Sequence, residues 1–528
     1  MSMEIRMLLA IVLSFIVFFV FQSIFGTPRQ KQPVKPVTKQ EAEPLGATAR
    51  EARIEAPERP RSPGEKIVTE VSGPDRTITV RTGLYIAKLS EQSGCFTSLQ
   101  LRKYKEAMGP DAALKELIRL PTQAGCTPIV HLLQEGEPPI QRVQGFQTTL
   151  PETDLDASTT GKTLTFTRNA PEGLAITKTY HFYPDSYEIA LQVTVANHTP
   201  GYLEDKVAVS LKNTKNNADN SRYVFSGPAA LINGELQEID LDDIEDKPLY
   251  SGTIKWIASE DQYFISAIVP EKAVEATLQL NLSETNILTT SYLDPSGPLP
   301  PRTERTLNYK LYFGPKSLDT LSGTGSDLAR IIDFGFFDII AKPLLHAMKF
   351  IYRYIPNYGI AIILITFVVK LIFWPLSNRS YKSMSQMKRL QPKMAEIRAK
   401  YKDDKRMMNQ ELMNLYKIYK VNPLGGCLPM VLQIPVFFAF YKMLYQAIEL
   451  RHAPFLLWIN DLSAPDRLFR FNVEVPLMAP PYGIPVLTII MGASMFLQQK
   501  MSPPPGDPTQ AKMMMFMPIF FTFIFINF

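Results

Sequence analysis

Apolar residues fall into two rhythms along this chain. One is the unbroken run. Residues 7–26 (MLLAIVLSFIVFFVFQSIFG) carry the first, and residues 358–376, 425–447, 482–498 and 513–528 carry four more. At about 1.5 Å per residue the first run is long enough to cross a hydrocarbon core of roughly 30 Å. Lipid offers the backbone no hydrogen bonds, so these runs are expected to be helices. Pro429, Pro435 and Pro485 then predict local kinks, tolerated where neighbouring helices cover the freed carbonyls. The other rhythm is alternation. TITVRTGLYIAKL, LTFTRN, LAITKTYHFYP, YEIALQVTVAN, DKVAVSLKN, IKWIAS, YFISAIV, ATLQLNL and LNYKLYFG all read as strands punctuated by Gly, Pro, Asn and Asp. They predict an all-β sandwich over 66–320, between the first apolar run and the rest.

Residues 27–65 follow neither rhythm. They are rich in Pro, Lys, Glu and Ala, cannot bury a core, and are expected to be a flexible tether. For 7–26 a cleaved signal peptide is the competing reading. It wants a shorter apolar core and a small-residue cleavage site, whereas this run is long and ends Gln-Ser-Ile-Phe-Gly. An uncleaved transmembrane anchor over 1–26 is expected instead. The expected fold class is therefore a multi-span α-helical membrane protein with an inserted all-β domain.

Charge then sets orientation. The net charge of +5 and charged fraction of 20% imply no global polyelectrolyte role. Lysine and arginine crowd into the loop 377–422, however, including Lys388, Arg389, Lys393, Arg398 and Lys400, against few acids. Such a loop stays cytoplasmic. Counting back, the β domain is outside and the N-terminus inside, which in a bacterium means a multi-pass inner-membrane protein with a periplasmic domain. Three cysteines are too few for a disulfide scaffold. Cys95 and Cys126 are free to pair if their half is exported and to stay reduced if it is not. Cys427 opens an apolar run and is expected to be a small packing residue.

Within the basic loop, Met384, Met387, Leu390, Met394, Ile397 and Tyr401 recur at helical spacing. After Asp403-Asp404, Met408, Leu412, Leu415 and Tyr419 do the same. This predicts an antiparallel helical hairpin over 378–422 with a heptad-like seam and a kink at Pro392. Its basic face is either simply solvated or meets ribosomal RNA or anionic lipid. Residues 341–354 set Leu344, Leu345, Met348, Ile351 and Tyr352 on one side of a helix. That suits an interfacial helix on the outer membrane surface, or a linker packed on the β domain.

Candidate chemistry is sparse. His131, His181 and His198 have no metal-ligand spacing, and no metal or cofactor is expected. Trp256 and Tyr263 are either core residues on strands or aromatics that stack on sugar in a cleft. The informative residue is Lys370, inside an apolar run. A lysine at mid-helix costs about 2.5–3.5 kcal/mol to insert. It lies about 12 Å from the end of its run near Asn378, so snorkelling is open to it. Lys442, near the other end of the next run, is expected to snorkel. Thr366 and Ser377 mark a polar face beside Lys370, and Gln433, Gln498 and Gln499 put amides in two further runs. No acid lies in any of the four later runs to pair with Lys370. A wet groove open to the cytoplasm accounts for such a cation better than interhelical packing does.

The long strings KVNPLGGCLPMVLQIPVFFAFYKML (420–444), ELRHAPFLLWINDLSAPD and FLQQKMSP, with LQPKMAEIRAKY in the hairpin, carry a specific resemblance. The chain resembles the YidC/Oxa/Alb family of membrane protein insertases, in its bacterial form with a large periplasmic domain. That resemblance implies a β-supersandwich for the soluble domain, similar in fold to sugar-binding enzymes, and a membrane core over 355–528. It implies no enzymatic activity and no cofactor. The implied function is to insert and help fold nascent inner-membrane proteins, alone or with the Sec translocon, through a hydrophilic groove open to cytoplasm and lipid. Ribosome and phospholipid bilayer are the other implied partners, with Lys388, Arg389, Lys393, Arg398 and Lys400 on the recruiting hairpin. Lys370 occupies the family's basic groove position, where most members carry Arg, so the charge is kept and the bidentate fork is lost. Thr366 and Gln433 are expected in the groove, and Ile434, Pro435 and Phe437 on a face that contacts nascent helices. The family pattern continues with a sixth span and a basic tail, whereas this sequence ends at Phe528 within its fifth. A transporter or channel, or a membrane-anchored periplasmic glycan receptor, are the rival functions.

Overall fold

The computed structural model describes residues 75–121, 125–133, 144–170, 173–214, 225–402, 404–419, 421, 428–476, 478–501 and 508–527. The expected anchor 1–26, the tether 27–65, Asp403 and Cys427 lie outside the described residues.

Among the described residues, seventeen strands build the first half. In chain order they are β1 Thr77–Arg81, β2 Tyr85–Ser90, β3 Cys95–Lys105, β4 Leu114–Glu116, β5 Ile129–Leu133, β6 Asp154–Asp156, β7 Lys162–Ala170, β8 Leu174–Phe182 and β9 Glu188–Asn197. There follow β10 Lys206–Thr214, β11 Gly227–Ile232, β12 Glu235–Glu238, β13 Leu249–Glu260, β14 Phe264–Pro270, β15 Val274–Leu282, β16 Ile287–Leu293 and β17 Thr303–Pro315. A small sheet runs β4-β3-β2-β1-β6. A large one runs β5-β10-β16-β15-β13-β14-β17-β9-β8-β7, with β11 and β12 beside β13. Each stretch singled out by alternation lies in a strand. TITVRTGLYIAKL holds two, because the Thr82 hydroxyl accepts from the amides of Leu84 and Tyr85 and folds the stretch into a hairpin. β3, β5, β11 and β16 escaped notice, as did the short β4, β6 and β12. β11 is buried at every position and β5 and β16 at all but one, so they show little alternation to read. β3 alternates only over part of its length.

The two sheets meet through aromatic rings. Phe96 on β3 stands edge-on to Tyr180, Phe182 and Phe313 of the large sheet, with ring centroids 5.3, 6.3 and 5.6 Å apart. Trp256 is wholly buried on β13. It is core, which removes it as a sugar-stacking surface. Period-two alternation on β8 turns Ile176, Lys178, Tyr180 and Phe182 inward. Lys178 is thus fully buried. Its ammonium donates to the carbonyls of Ser93 (3.0 Å) and Gly94 (3.2 Å) and lies 4.1 Å from the centroid of the Phe146 ring. Burial lowers its pKa to about 7. Cys95 and Cys126 are joined as a disulfide, with Cα atoms 5.7 Å apart.

Among the described residues from Asp338 on there are six α-helices: α1 Asp338–Tyr354, α2 Tyr358–Lys400, α3 Lys405–Ile418, α4 Leu428–Gln446, α5 Val486–Met501 and α6 Pro508–Ile524. The expected loop at 377 does not break the chain. α2 runs 43 residues without interruption, about 64 Å, straight from an apolar half into the first arm of the hairpin, with Pro375 and Pro392 inside it. Residues 482–485 are not helical. Ile484 pairs with Leu468 instead, so the expected start at 482 moves to Val486. Among the described residues α2 alone is long and apolar enough to cross a membrane. Met514–Asn527 is a shorter apolar stretch.

α1 covers 341–354 and has two apolar sides. The face picked from sequence, with Ala341, Leu345 and Met348 buried, packs on α2 and α4. A second apolar stripe, Phe336, Ile339, Phe350 and Tyr354, is the exposed one. The α2–α3 hairpin closes on Leu390, Met394, Leu412, Leu415 and Val421, with Met387, Ile397 and Met408 packed around them. Met384 and Tyr401 stay half-buried and Tyr419 is exposed. Tyr416 and Val421 complete the seam in their place. Asp404 caps α3, its carboxylate accepting from the amides of Arg406 and Met407 at 3.0 Å each.

Two predictions follow from this packing. Between about pH 7 and the ordinary lysine range, the unfolded chain binds a proton at Lys178 that the folded chain lacks. Stability therefore rises with pH over that window. Thermal unfolding of the β domain in the detergent-solubilised chain should gain about 1–2 kcal/mol from pH 7 to pH 9, and Lys178→Met should flatten that slope. The disulfide closes a loop with a sequence separation of 31. Replacing both cysteines by Ser should cost about 3–4 kcal/mol in a denaturant titration at fixed pH.

Candidate functional site

Lys370 sits on α2 one turn beyond Thr366, and Gln433 sits on α4. The helices pack through Ala361 and Ile365 against Ala439 and Met443, all buried. Lys370 lies past Ile365 on the hairpin side of this contact. There its ammonium donates to Gln433 Oε1 at 3.3 Å, and both residues keep contact with solvent space. Two polar groups far apart in sequence are thus brought together. Among the described residues no carboxylate forms an ion pair with Lys370, so its charge meets a neutral amide. The cation is not partnerless, as the sequence suggested, though it has no counter-charge.

Thr366 is exposed, but its hydroxyl donates to Ile362 O (2.8 Å), one turn back on its own helix. It offers the site a lone pair and no free donor. Ile434 and Phe437 are 43% and 53% exposed, and Pro435 is half-buried. They share a helix with Gln433. Exposed Ile363, Phe367, Leu371 and Trp374 flank Lys370 on α2, so its surroundings are apolar.

On the hairpin, Lys388, Arg389, Lys393 and Lys400 are exposed and Arg398 is half-buried. Lys393 and Lys400 meet aromatic rings within the chain. Lys393 donates to the Tyr419 hydroxyl and lies 4.6 Å from that ring's centroid, bridging the arms. Lys400 lies 5.3 Å from the ring of Tyr401. Lys442, expected to snorkel, instead reaches the carbonyl of Phe334 at 3.4 Å and ties α4 to the turn before α1.

The far ends of the helices are held by the segment 447–485, which leads from α4 to α5. Asn357 caps α2 by accepting from Ile360 N and donates to Phe455 O at 3.1 Å. Gly359 is required there, since a Cβ would stand 2.1 Å from the Phe455 ring. Asp466 accepts from Trp458 Nε1 (2.6 Å) and, at the start of α5, from Leu487 N (2.5 Å). Arg467 donates to the carbonyls of Pro481 (3.0 Å), Asp466 (2.9 Å) and Ile526 (2.8 Å), the last just past α6. Only the adjacent Asp-Arg in SAPDRLFR hinted at this, and a polar pair in a loop is ordinary. The same segment meets the β domain where Arg451 donates to Lys105 O (2.6 Å), and the end of α4 does so where Gln262 donates to Tyr445 O (2.8 Å). Among the described residues no group of His, Cys, Asp and Glu is disposed to hold a metal.

Residues 350–528 match the family described as 60Kd inner membrane protein, and residues 77–347 match the YidC periplasmic domain. A Pelobacter propionicus protein named membrane protein insertase YidC is 39% identical over 537 residues, covering 100% of this chain and 95% of that protein. A Syntrophus aciditrophicus protein of the same name is 37% identical over 542 residues, with the same coverage. A solved structure of an active YidC insertase is 18% identical, covers 86% of this chain and 88% of that one, and superposes with a TM-score of 0.36. The chain belongs to the YidC family of membrane protein insertases, inner-membrane proteins that carry a periplasmic domain.

Proposed function

We propose that this insertase works through a wet groove between α2 and α4, in which Lys370 and Gln433 receive the polar part of a nascent membrane protein. The observation that carries the reading is the Lys370–Gln433 hydrogen bond, set among exposed apolar side chains with no carboxylate paired to it among the described residues. An ammonium in such surroundings keeps water or an anion near it, because an amide alone compensates little of its charge. The acidic tail or loop of a substrate fits that need. Once it is drawn in, the substrate's apolar segment slides into lipid along Ile434, Pro435 and Phe437, and along α6. Transfer of apolar surface, helped by the membrane potential acting on the negative tail, drives the step. No covalent chemistry is involved, in keeping with the non-enzymatic family.

The organisation that suits this reading has an anchor at 1–26, a tether at 27–65 and further spans at α4, α5 and α6 beside the apolar half of α2. The N-terminus and the hairpin face the cytoplasm, with the β domain, 66–320, in the periplasm. α1 (the 341–354 helix) lies at the outer surface with Phe336, Ile339, Phe350 and Tyr354 toward lipid, an orientation supported by their exposure. Lys388, Arg389, Lys393, Arg398 and Lys400 on the hairpin recruit ribosome or substrate, and Lys393 and Lys400 also make ring contacts. The Sec translocon is a partner for larger substrates.

The test is insertion of a substrate with an acidic translocated tail into vesicles holding Lys370 variants. Lys370→Ala should slow insertion about fivefold to tenfold, while Lys370→Arg, which keeps the charge, should stay within about twofold. Neutralising the substrate's acidic tail should erase the difference between Lys370→Ala and the parent. Equal insertion by Lys370→Ala and parent would remove the charge from the mechanism.

A further inference from the structure

At the end away from the hairpin, every core helix is fastened to the segment 447–485. α2 is held through Asn357 and Phe455, and α4 runs directly into the segment. α5 is held where Asp466 accepts from Leu487 N, and α6 where Arg467 donates to Ile526 O and Asn527 Oδ1 accepts from Ala479 N. α5 and α6 themselves cross closely. A Cβ at Gly492 would stand 2.1 Å from the Thr522 hydroxyl oxygen, and Thr488 donates to Phe525 O at 3.4 Å.

Arg467 is an odd residue to spend on a loop. It is only 7% exposed, Nη2 has no partner, and among the described residues it forms no ion pair. The neighbouring Asp466 carboxylate is taken by Trp458 and Leu487. A buried guanidinium held by carbonyls alone is costly. It is tolerable where a helix end leaves carbonyls without donors and a cation meets the negative end of the helix dipole. Asp466 does the converse at the positive end of α5. The two adjacent side chains thus grip the start of one helix and the finish of the next.

We propose that Arg467 is a positioning residue for insertion: with Asp466 it pins the outer ends of α5 and α6, so that this helix pair parts from the core only at its hairpin-side end. Substrate is then admitted from the cytoplasm and released sideways into lipid without opening a path to the outside. The inference rests on the insertase function, which supplies the readout, and does not need Lys370 to act by charge.

The experiment uses the full chain reconstituted in vesicles, in a Cys427→Ser background. Arg467→Ala should reduce insertion about tenfold. Thr488→Cys and Phe525→Cys, oxidised to a disulfide after reconstitution, should bring Arg467→Ala back to within about twofold of the parent. Joining already folded helices mends a position and would not mend a folding defect. Insertion by Arg467→Ala at the parental rate, or a formed cross-link that restores nothing, overturns the proposal. If Arg467→Ala does not accumulate, Arg467→Lys replaces it: one amine cannot reach both Pro481 and Ile526, so insertion should fall about threefold and be restored by the same cross-link. Failure of either part sinks the idea equally. Lys370→Ala measured alongside keeps the two readings apart, since an inert Lys370→Ala with a rescued Arg467→Ala removes the groove charge and leaves the pin.

Discussion

A polar group at lipid depth has only its own protein, or water the protein admits, to bond with. The helical half of this molecule is organised by that shortage. Lys370 turns to Gln433, Thr366 bends back to Ile362 O, Lys442 reaches Phe334 O, and Arg467 gathers three carbonyls. Three of these four find neutral backbone oxygens. Lys370 finds a side-chain amide on another helix, a bond that can break without unravelling a turn. That difference sets Lys370 apart from the others, whose partners are fixed parts of the backbone.

The β domain solves a different problem with the same economy. Its alternating strands leave inward positions for apolar side chains, and Lys178 occupies one of them. It is held by two carbonyls of the β2–β3 turn and by the Phe146 face, so it joins the small sheet to the large one. The domain meets the helices through a shared apolar core and, at its edge, through polar contacts, several of them to backbone. Arg451 and Gln262 cross the joint, and Lys349 of α1 forms ion pairs with Asp319 and, at 3.4 Å, Glu449. Side chains that bind backbone on the far side of a joint tolerate sequence change there, because every residue carries a carbonyl.

Legibility followed exposure. Strands with one wet face, such as β8 and β9, declared themselves by alternation, while β5, β11 and β16, buried nearly throughout, had little polar rhythm to show. The hairpin seam was readable through Leu390, Met394, Leu412 and Leu415, because both arms are amphipathic. Tyr416 and Val421 were missed since their place depends on how the second arm ends. On α1 both sides are apolar, so the pattern could not say which one faces protein. Lys370 was conspicuous because a charge in an apolar run costs several kcal/mol. Asp466 and Arg467 were not, because charges in a loop cost nothing until the loop is folded over helix ends.

Local composition alone marked the strands with one wet face, the long apolar runs, where the basic hairpin lies and which family the chain resembles. Those properties depend on neighbours within a turn or two of chain, or on strings long enough to be distinctive. Only tertiary structure decided that Lys370 meets Gln433 across 63 residues, that Cys95 joins Cys126, and that Arg467 closes on Ile526. Such pairings are set by how helices and sheets pack in three dimensions, and a one-dimensional pattern carries no record of which distant partner comes within reach.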